Sequence, residues 1–252
     1  MKFSANLGYL WNDRALPDAI LAAHRAGFDA VECHWPYDTP VSDITAALDA
    51  TGLPMLGLNT VRGQSGENGL CGLPGREVEA RAAIDQAIAY ASAIGAQAIH
   101  VMAGRAEGPD ARSTFLENLR YARGACPDDI MLLIEPLNRH DAPGYFLKTT
   151  NQAAEILDHL GLPGVKLMFD CYHVGRTEGD IVTRFTALLP LIGHVQFASV
   201  PDRGAPDHGE VEYRFVFDKI VATGWSRPLG AEYRTGGDTD ASLGWLREIR
   251  AT

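Results

Sequence analysis

The chain has 252 residues, 46% hydrophobic and 21% charged, with 22 Lys and Arg against 32 Asp and Glu. This composition suits a soluble globular protein with a large buried core, and the formal net charge of −10 disfavours nucleic acid and membrane surfaces as partners. No apolar run approaches the roughly 20 residues that span a bilayer, and the opening Met1-Lys-Phe-Ser-Ala-Asn-Leu-Gly8 carries no apolar signal segment. Cys33, Cys71, Cys126 and Cys171 show no CxxC spacing, so reduced thiols in a cytoplasmic protein are expected.

Two periodicities alternate along the chain. Residues 3–7 read as a strand, 17–26 as an amphipathic helix closed by Gly27, 30–33 as a strand and 41–50 as a helix ended by Gly52. A strand at 55–58 precedes a long helix over 77–94 ended by Gly95. A strand at 98–102 and a helix over 113–123 follow. Glycine just past a helix accepts the left-handed conformation that ends it. The second half has strands at 131–135, 165–170, 192–196 and 228–232, with helices over 151–160, 181–188, 214–222 and 240–250.

Strict alternation of strand and helix predicts a parallel sheet covered by helices. About eight such pairs in this length fit a single (β/α)8 TIM barrel spanning residues 1–252. The open doubly wound alternative normally carries GxGxxG after its first strand, and Gly8-Tyr-Leu-Trp11 does not supply it. No Walker-type phosphate loop is present. The Gly-rich loop over 62–75 follows the third strand on the expected catalytic face and is a candidate lid.

Four of the strands end in polar residues: Glu135, Asp170, Gln196 and Glu232. A polar group ending a buried strand is costly unless it is paired. Barrel active sites form at the C-terminal ends of the strands. Three carboxylates and an amide on one rim would repel without a cation, and their oxygens suit a divalent metal. Two glutamates remain available for proton chemistry. Asn138, His173, Arg234 and His100 lie close to these ends in sequence. For His100, substrate contact and a hydrogen-bonded core role stand level. His194 is expected to pack in the core, and His24, His140 and His159 to be solvated.

The motifs Ile134-Glu-Pro-Leu-Asn138, Pro143-Gly-Tyr-Phe-Leu147, Asp170-Cys-Tyr-His173, Gly193-His-Val-Gln196 and Glu232-Tyr-Arg234 together resemble the hydroxypyruvate isomerase family of xylose-isomerase-like TIM barrels. The likeness also covers Asn6-Leu7, Ala26-Gly-Phe-Asp-Ala-Val-Glu32, Leu73-Pro-Gly-Arg-Glu77 and Leu243-Gly-Trp-Leu246. The resemblance implies that Glu135, Asp170, Gln196 and Glu232 bind a divalent metal and that Glu135 and Glu232 form the proton donor and acceptor pair. It further implies that His173 and Arg203 lie at the substrate. Val174-Gly-Arg-Thr177, a short loop after Asn59-Thr60 and Arg105 depart from the family pattern, and these departures bear on substrate choice.

The implied reaction interconverts hydroxypyruvate and tartronate semialdehyde through an enediolate. A 2-oxo-tetronate isomerase or a ketose 3-epimerase would use the same machinery. An all-oxygen ligand set favours Mg2+ or Mn2+. Three carboxylates around a dication leave a net negative charge, so a carboxylate substrate needs local cations. Arg203, Arg234, Lys148 and a protonatable His173 are the candidates, with Glu210 in either an orienting or a surface role. The expected partner is a small hydroxy-carbonyl acid or sugar, and a homo-oligomer is compatible with the chain.

Overall fold

The computed structural model describes residues 1–251; Thr252, the last residue of the expected domain, lies outside the described residues. Eight parallel strands form one sheet: β1 (Phe3–Asn6), β2 (Ala30–Glu32), β3 (Leu58–Asn59), β4 (Ala98–His100), β5 (Met131–Ile134), β6 (Val165–Asp170), β7 (Ile192–Phe197) and β8 (Leu229–Ala231). Their order is β2-β1-β8-β7-β6-β5-β4-β3. The Val31 N–H donates to the Pro54 carbonyl at 3.0 Å and the Cys33 N–H to the Gly57 carbonyl at 3.0 Å. These bonds join β2 to the segment before β3 and close the ring, as the TIM barrel expectation requires. Of the strand expected at 55–58 only Leu58 pairs with β4, together with Asn59 beyond it; Pro54, Leu56 and Gly57 bond to β2 and the residue after it.

The helices are α1 (Leu16–Arg25), α2 (Val41–Thr51), α3 (Glu77–Ile94), α4 (Gly108–Ala125), α5 (Thr150–Leu160), α6 (Cys171–Thr177), α7 (Ile181–Leu188), α8 (Tyr213–Ala222) and α9 (Gly244–Arg250). None is long and apolar enough to cross a membrane. The expected glycines end α2 and α3, and a third ends α5: Gly52, Gly95 and Gly161 all have positive φ. The Thr149 hydroxyl caps α5 by accepting from the Gln152 N–H. Helix α4 begins earlier than expected because Pro109 sits in its first turn, where a missing N–H costs nothing. Helix α6 has no counterpart among the expected elements. Asp170, the last residue of β6, caps it by accepting from the Tyr172 N–H.

Strand alternation decides what enters the barrel. Ala98, Leu133 and Met168, packed with Met131, form a small apolar layer separate from the main core. Two residues further along the same strands stand His100, Glu135 and Asp170. A period of two brings each to the same lumen, one layer nearer the C-terminal rim. The outward positions pack under the helices, as in the cluster of Phe3, Phe197, Phe217 and Trp245, whose ring centroids lie 4.8–5.9 Å apart. The four cysteines are buried and free.

One irregularity sets the phase of β7. Leu167 pairs with Ile192, but Met168 pairs with His194, so Gly193 is an extra residue. Such a bulge shifts the alternation that follows it. It puts Gln196 opposite Asp170. A Cβ on Gly193 would lie 2.3 Å from the Met131 sulfur and 2.7 Å from the Lys166 Cβ. Gly193→Ala should therefore destabilise the barrel by about 1–3 kcal/mol and lower its melting temperature by roughly 2–4 °C per kcal/mol. An unchanged thermal unfolding curve would show that β6 and β7 can yield at this point.

Candidate active site

The C-terminal ends of β5, β6 and β8 bring Glu135, Asp170 and Glu232 together with His173 from α6. One ligand atom from each lies within 4.8 Å of the others, and all four residues are buried. Gln196 sits at the edge of this group. Its Nε2 donates to Glu32 Oε2 at 3.0 Å and faces Glu232 Oε1 at 3.5 Å. The structure thus adds His173 to the three expected carboxylates and turns the amide nitrogen of Gln196 toward acids.

Glu135 Oε1, Asp170 Oδ2 and Gln196 Oε1 are buried with no hydrogen-bond partner. An unsatisfied buried acceptor costs about 1–3 kcal/mol, more if charged. Three orphaned oxygens in one pocket are what a divalent cation would satisfy, and the donor set fits one. The Asp170 carboxylate is already split for this purpose: Oδ1 accepts from the Tyr172 N–H at 2.8 Å, which leaves Oδ2 free. His173 is oriented from behind. The Asn138 N–H donates to its Nδ1 at 3.0 Å, so in the neutral ring the proton is on Nε2. That nitrogen is 3.6 Å from Asp170 Oδ2 and 3.8 Å from Glu135 Oε1.

The two glutamates have opposite surroundings. Burial, followed by the charges of Glu232 and Asp170, pushes the Glu135 carboxyl well above its ordinary range. Burial and Glu232 raise Asp170 to about 7. Burial would raise Glu232 as well, but Arg203 and then His34 outweigh it and hold that carboxyl at about 2. Arg203 forms a close ion pair with Glu232 Oε2, while His34 Nε2 and Asn6 Nδ2 lie 3.0 and 2.9 Å from Oε1. Two carboxyls whose environments drive their protonation apart are a natural acid and base. Burial lowers His100 to about 4 and His173 to about 3, so both rings stay neutral at neutral pH. His100 Nδ1 is 3.5 Å from Glu135 Oε2.

Arg203 is buried between the rings of Tyr9 and Tyr172, 4.7 and 5.0 Å from their centroids. Its other amino group is 3.4 Å from Asp141 Oδ2. Asn138 is fully buried; its Oδ1 accepts from the His140 and Asp141 N–H groups at 3.0 Å each, which folds the loop after β5. Arg234 is exposed at the mouth of the barrel. Lys148 is not brought to the cluster: it is exposed and paired with Glu107 at 3.3 Å. Glu210 is exposed too, with its N–H donating to the Val200 carbonyl. His194 is buried as expected, but it faces the lumen, where its Nε2 is 2.8 Å from Glu32 Oε2. The base of the 62–75 loop is pinned along the extension of β4 by the Cys71 and Gly72 N–H groups, which donate to the Met102 and Ala103 carbonyls; residues 62–66 form its exposed tip.

Several residues of the site lie outside the set expected from sequence. Asn6 and Glu32 end β1 and β2, so the strand-end rule applied to the later strands identifies them too. His34 follows Glu32 at a spacing of two and points the same way. Gly8 gives that ring room, since a Cβ there would lie 2.1 Å from His34 Nδ1. Asp141 and Tyr172 carry no comparable signal, because only the folded loops bring them to Arg203.

Known proteins share this fold. Residues 20–249 match the family model of the xylose isomerase-like TIM barrel. A 2-oxo-tetronate isomerase of Cupriavidus necator is 40% identical over 98% of this chain and 97% of its own length. A hydroxypyruvate isomerase of Escherichia coli K12 is 35% identical over 99% of this chain and all (100%) of its own. Among solved structures, an AP endonuclease, family 2, from Brucella melitensis superposes with a TM-score of 0.94 at 34% identity, covering 98% of both chains. With a closed eight-stranded barrel, its rim of buried carboxylates and full-length identity to both isomerases, the chain belongs to the hydroxypyruvate isomerase family of xylose isomerase-like TIM barrels.

Proposed function

We propose that this chain is a metal-dependent isomerase that interconverts hydroxypyruvate and tartronate semialdehyde through an enediolate, with Glu135 and Glu232 as the proton-moving pair. The observation that carries the reading is the convergence of unpartnered buried oxygens on Glu135, Asp170 and Gln196 beside a Glu232 that is held ionised. A divalent cation bound by Glu135, Asp170, Gln196 and Glu232, Mg2+ or Mn2+ by the oxygen character of the set, would supply Lewis-acid stabilisation of negative charge on substrate oxygens.

The protein groups account for the proton movements. Glu232, ionised beside Arg203, is suited to take the proton from C3 of hydroxypyruvate, leaving its electron pair in the enediolate. Glu135, whose burial and neighbouring carboxylates favour the protonated form in the metal-free chain, is suited to return a proton at C2. Transfer of the hydroxyl proton from O3 to O2 completes the semialdehyde, and the neutral Nε2–H of His173 is in position to assist it. Asn138 keeps that tautomer by occupying Nδ1. The barrel rim excludes bulk water, which strengthens each of these interactions. The acidic surface gives no support to a nucleic acid substrate, and the reading is that of a one-domain cytoplasmic enzyme.

A second reading keeps the chemistry and lengthens the substrate. The Cupriavidus necator relative named as a 2-oxo-tetronate isomerase is 40% identical, and a four-carbon oxo-acid shares the same enediolate. A ketose 3-epimerase would also share it. Incubation with hydroxypyruvate, 2-oxo-tetronate and neutral ketoses, followed by NMR, separates the three.

Turnover of hydroxypyruvate should fall on chelation and return with Mn2+ or Mg2+; metal-loaded protein that converts no three- or four-carbon oxo-acid would refute the assignment. Glu135→Gln and Glu232→Gln should each lower kcat by about 10²–10⁴-fold with the fold intact by circular dichroism. Wild-type rates in both variants would remove the two glutamates from the mechanism.

Stability should report the raised carboxyls. Asp170 and Glu135 bind more protons folded than unfolded, so their contribution declines as pH rises from about 4 through about 7 at Asp170, with Glu135 acting in the same sense. The lowered histidines, His100 and His173, act in the opposite sense up to about pH 6.5. Above that the raised carboxyls dominate, with His208, raised by its hydrogen bonds to Asp202 and Asp207, acting in the same sense at the surface. The melting temperature of metal-free protein should therefore fall from pH 7 to 8, and saturating Mn2+ should remove the fall. A metal-free melting temperature that rises over this window would mean that both carboxyls are ionised in the folded chain.

A further inference from the structure

The cations nearest the carboxylates are already committed. Arg203 binds Glu232 and Asp141 and packs against the rings of Tyr9 and Tyr172. His173 spends its Nδ1 on the Asn138 N–H and turns Nε2 toward Asp170 and Glu135, and Lys148 is paired with Glu107. None of them can meet a further anion without giving up a partner. An anionic ligand therefore needs positive charge from elsewhere.

That charge lies one level higher. A cavity of about 490 Å³ opens at the mouth of the barrel, lined among others by Tyr9, His34, Trp35, Arg62 and Arg234. His34 joins it to the site below through its bond to Glu232. Arg62 lies over the indole of Trp35, 3.8 Å from the ring centroid. Arg234 is anchored by its backbone, whose N–H donates to the Arg203 carbonyl at 2.7 Å. Among the described residues neither guanidinium has an acidic partner at ion-pair distance. Two uncompensated guanidinium groups on one cavity run against the net charge of −10.

We infer that Arg62 and Arg234 form a carboxylate clamp at the mouth of the barrel that selects short anionic hydroxy-oxo acids and rejects neutral ketoses. The clamp rests on the isomerase reading for what is converted, but not for what is bound. Stacking on Trp35 fixes the plane of Arg62 and leaves its N–H edge free, the edge that meets a carboxylate through two parallel hydrogen bonds. Because that plane is held before the ligand arrives, less side-chain freedom is lost on binding. The clamp separates the candidate substrates by charge: hydroxypyruvate and 2-oxo-tetronate carry the carboxylate it needs, and a ketose does not.

The test measures binding apart from turnover. D-Glycerate has the carboxylate and hydroxyls but no carbonyl to isomerise, and D-glyceramide is its neutral counterpart. By calorimetry in the presence of Mn2+, the Kd for glycerate should rise about tenfold in Arg62→Gln and in Arg234→Gln, the loss of one charged hydrogen bond. The double variant should lose more, Arg→Lys at each position should restore part of the affinity, and glyceramide binding should not change. Unaltered glycerate binding in the double variant, or equal losses for glyceramide, overturns the clamp. If wild-type protein turns over no oxo-acid while glycerate binding still depends on both arginines, the isomerase reading fails and the clamp stands. If hydroxypyruvate is turned over while glycerate binding is independent of both arginines, the clamp fails and the isomerase reading stands.

Discussion

Arg203 is the charge on which the site depends. Among the described residues, Glu32, Glu135, Asp170 and Glu232 are buried, and Arg203 is the only buried arginine or lysine beside them. Each buried carboxylate faces a desolvation cost of several kcal/mol. One guanidinium cannot neutralise all of them, and its position decides which stays charged. By closing on Glu232, Arg203 keeps that carboxylate ionised and leaves burial to protonate Glu135. The asymmetry between two glutamates that are alike in sequence comes first from this contact and then from His34 on the other oxygen.

The barrel makes the contact unavoidable. Apolar residues at one level of the lumen are followed at a spacing of two by polar residues at the next, so β4, β5 and β6 deliver His100, Glu135 and Asp170 to the same layer. The bulge at Gly193 brings β7 into phase and sets Gln196 against Asp170. Below them Glu32 accepts from Gln196, His194 and Ser4, which satisfies the floor of the site. The polar oxygens left over all face the rim. A network complete on one side and open on the other is stable only as a ligand site, since half-satisfied buried polar groups are otherwise a pure cost.

Much of this is legible in the chain. Glu135, Asp170 and Glu232 end apolar runs, and a charge at the end of a buried strand signals function because it has no cheap structural reason. The same rule reaches Asn6 and Glu32 once it is extended to the first two strands. Lys148 marks where the rule stops, because proximity in sequence to a motif says nothing about which way a loop residue turns; in the fold it meets Glu107. Helix α6 is hidden because Cys171-Tyr-His-Val-Gly175 has no helical periodicity and Asp170 reads as the end of a strand, although it also caps the helix.

The sequence by itself determined the barrel and the strand that carries each acid, because alternation of strand and helix and the polar strand ends are local patterns, and its ordered motifs carried the resemblance to the family. The tertiary structure alone decided how those acids differ. Which glutamate meets Arg203, which oxygen of Asp170 is spent on a helix cap, and which arginines face the mouth without partners all depend on how the folded chain places its loops and strand ends. Burial and charge act through space, and the fold is what sets those distances.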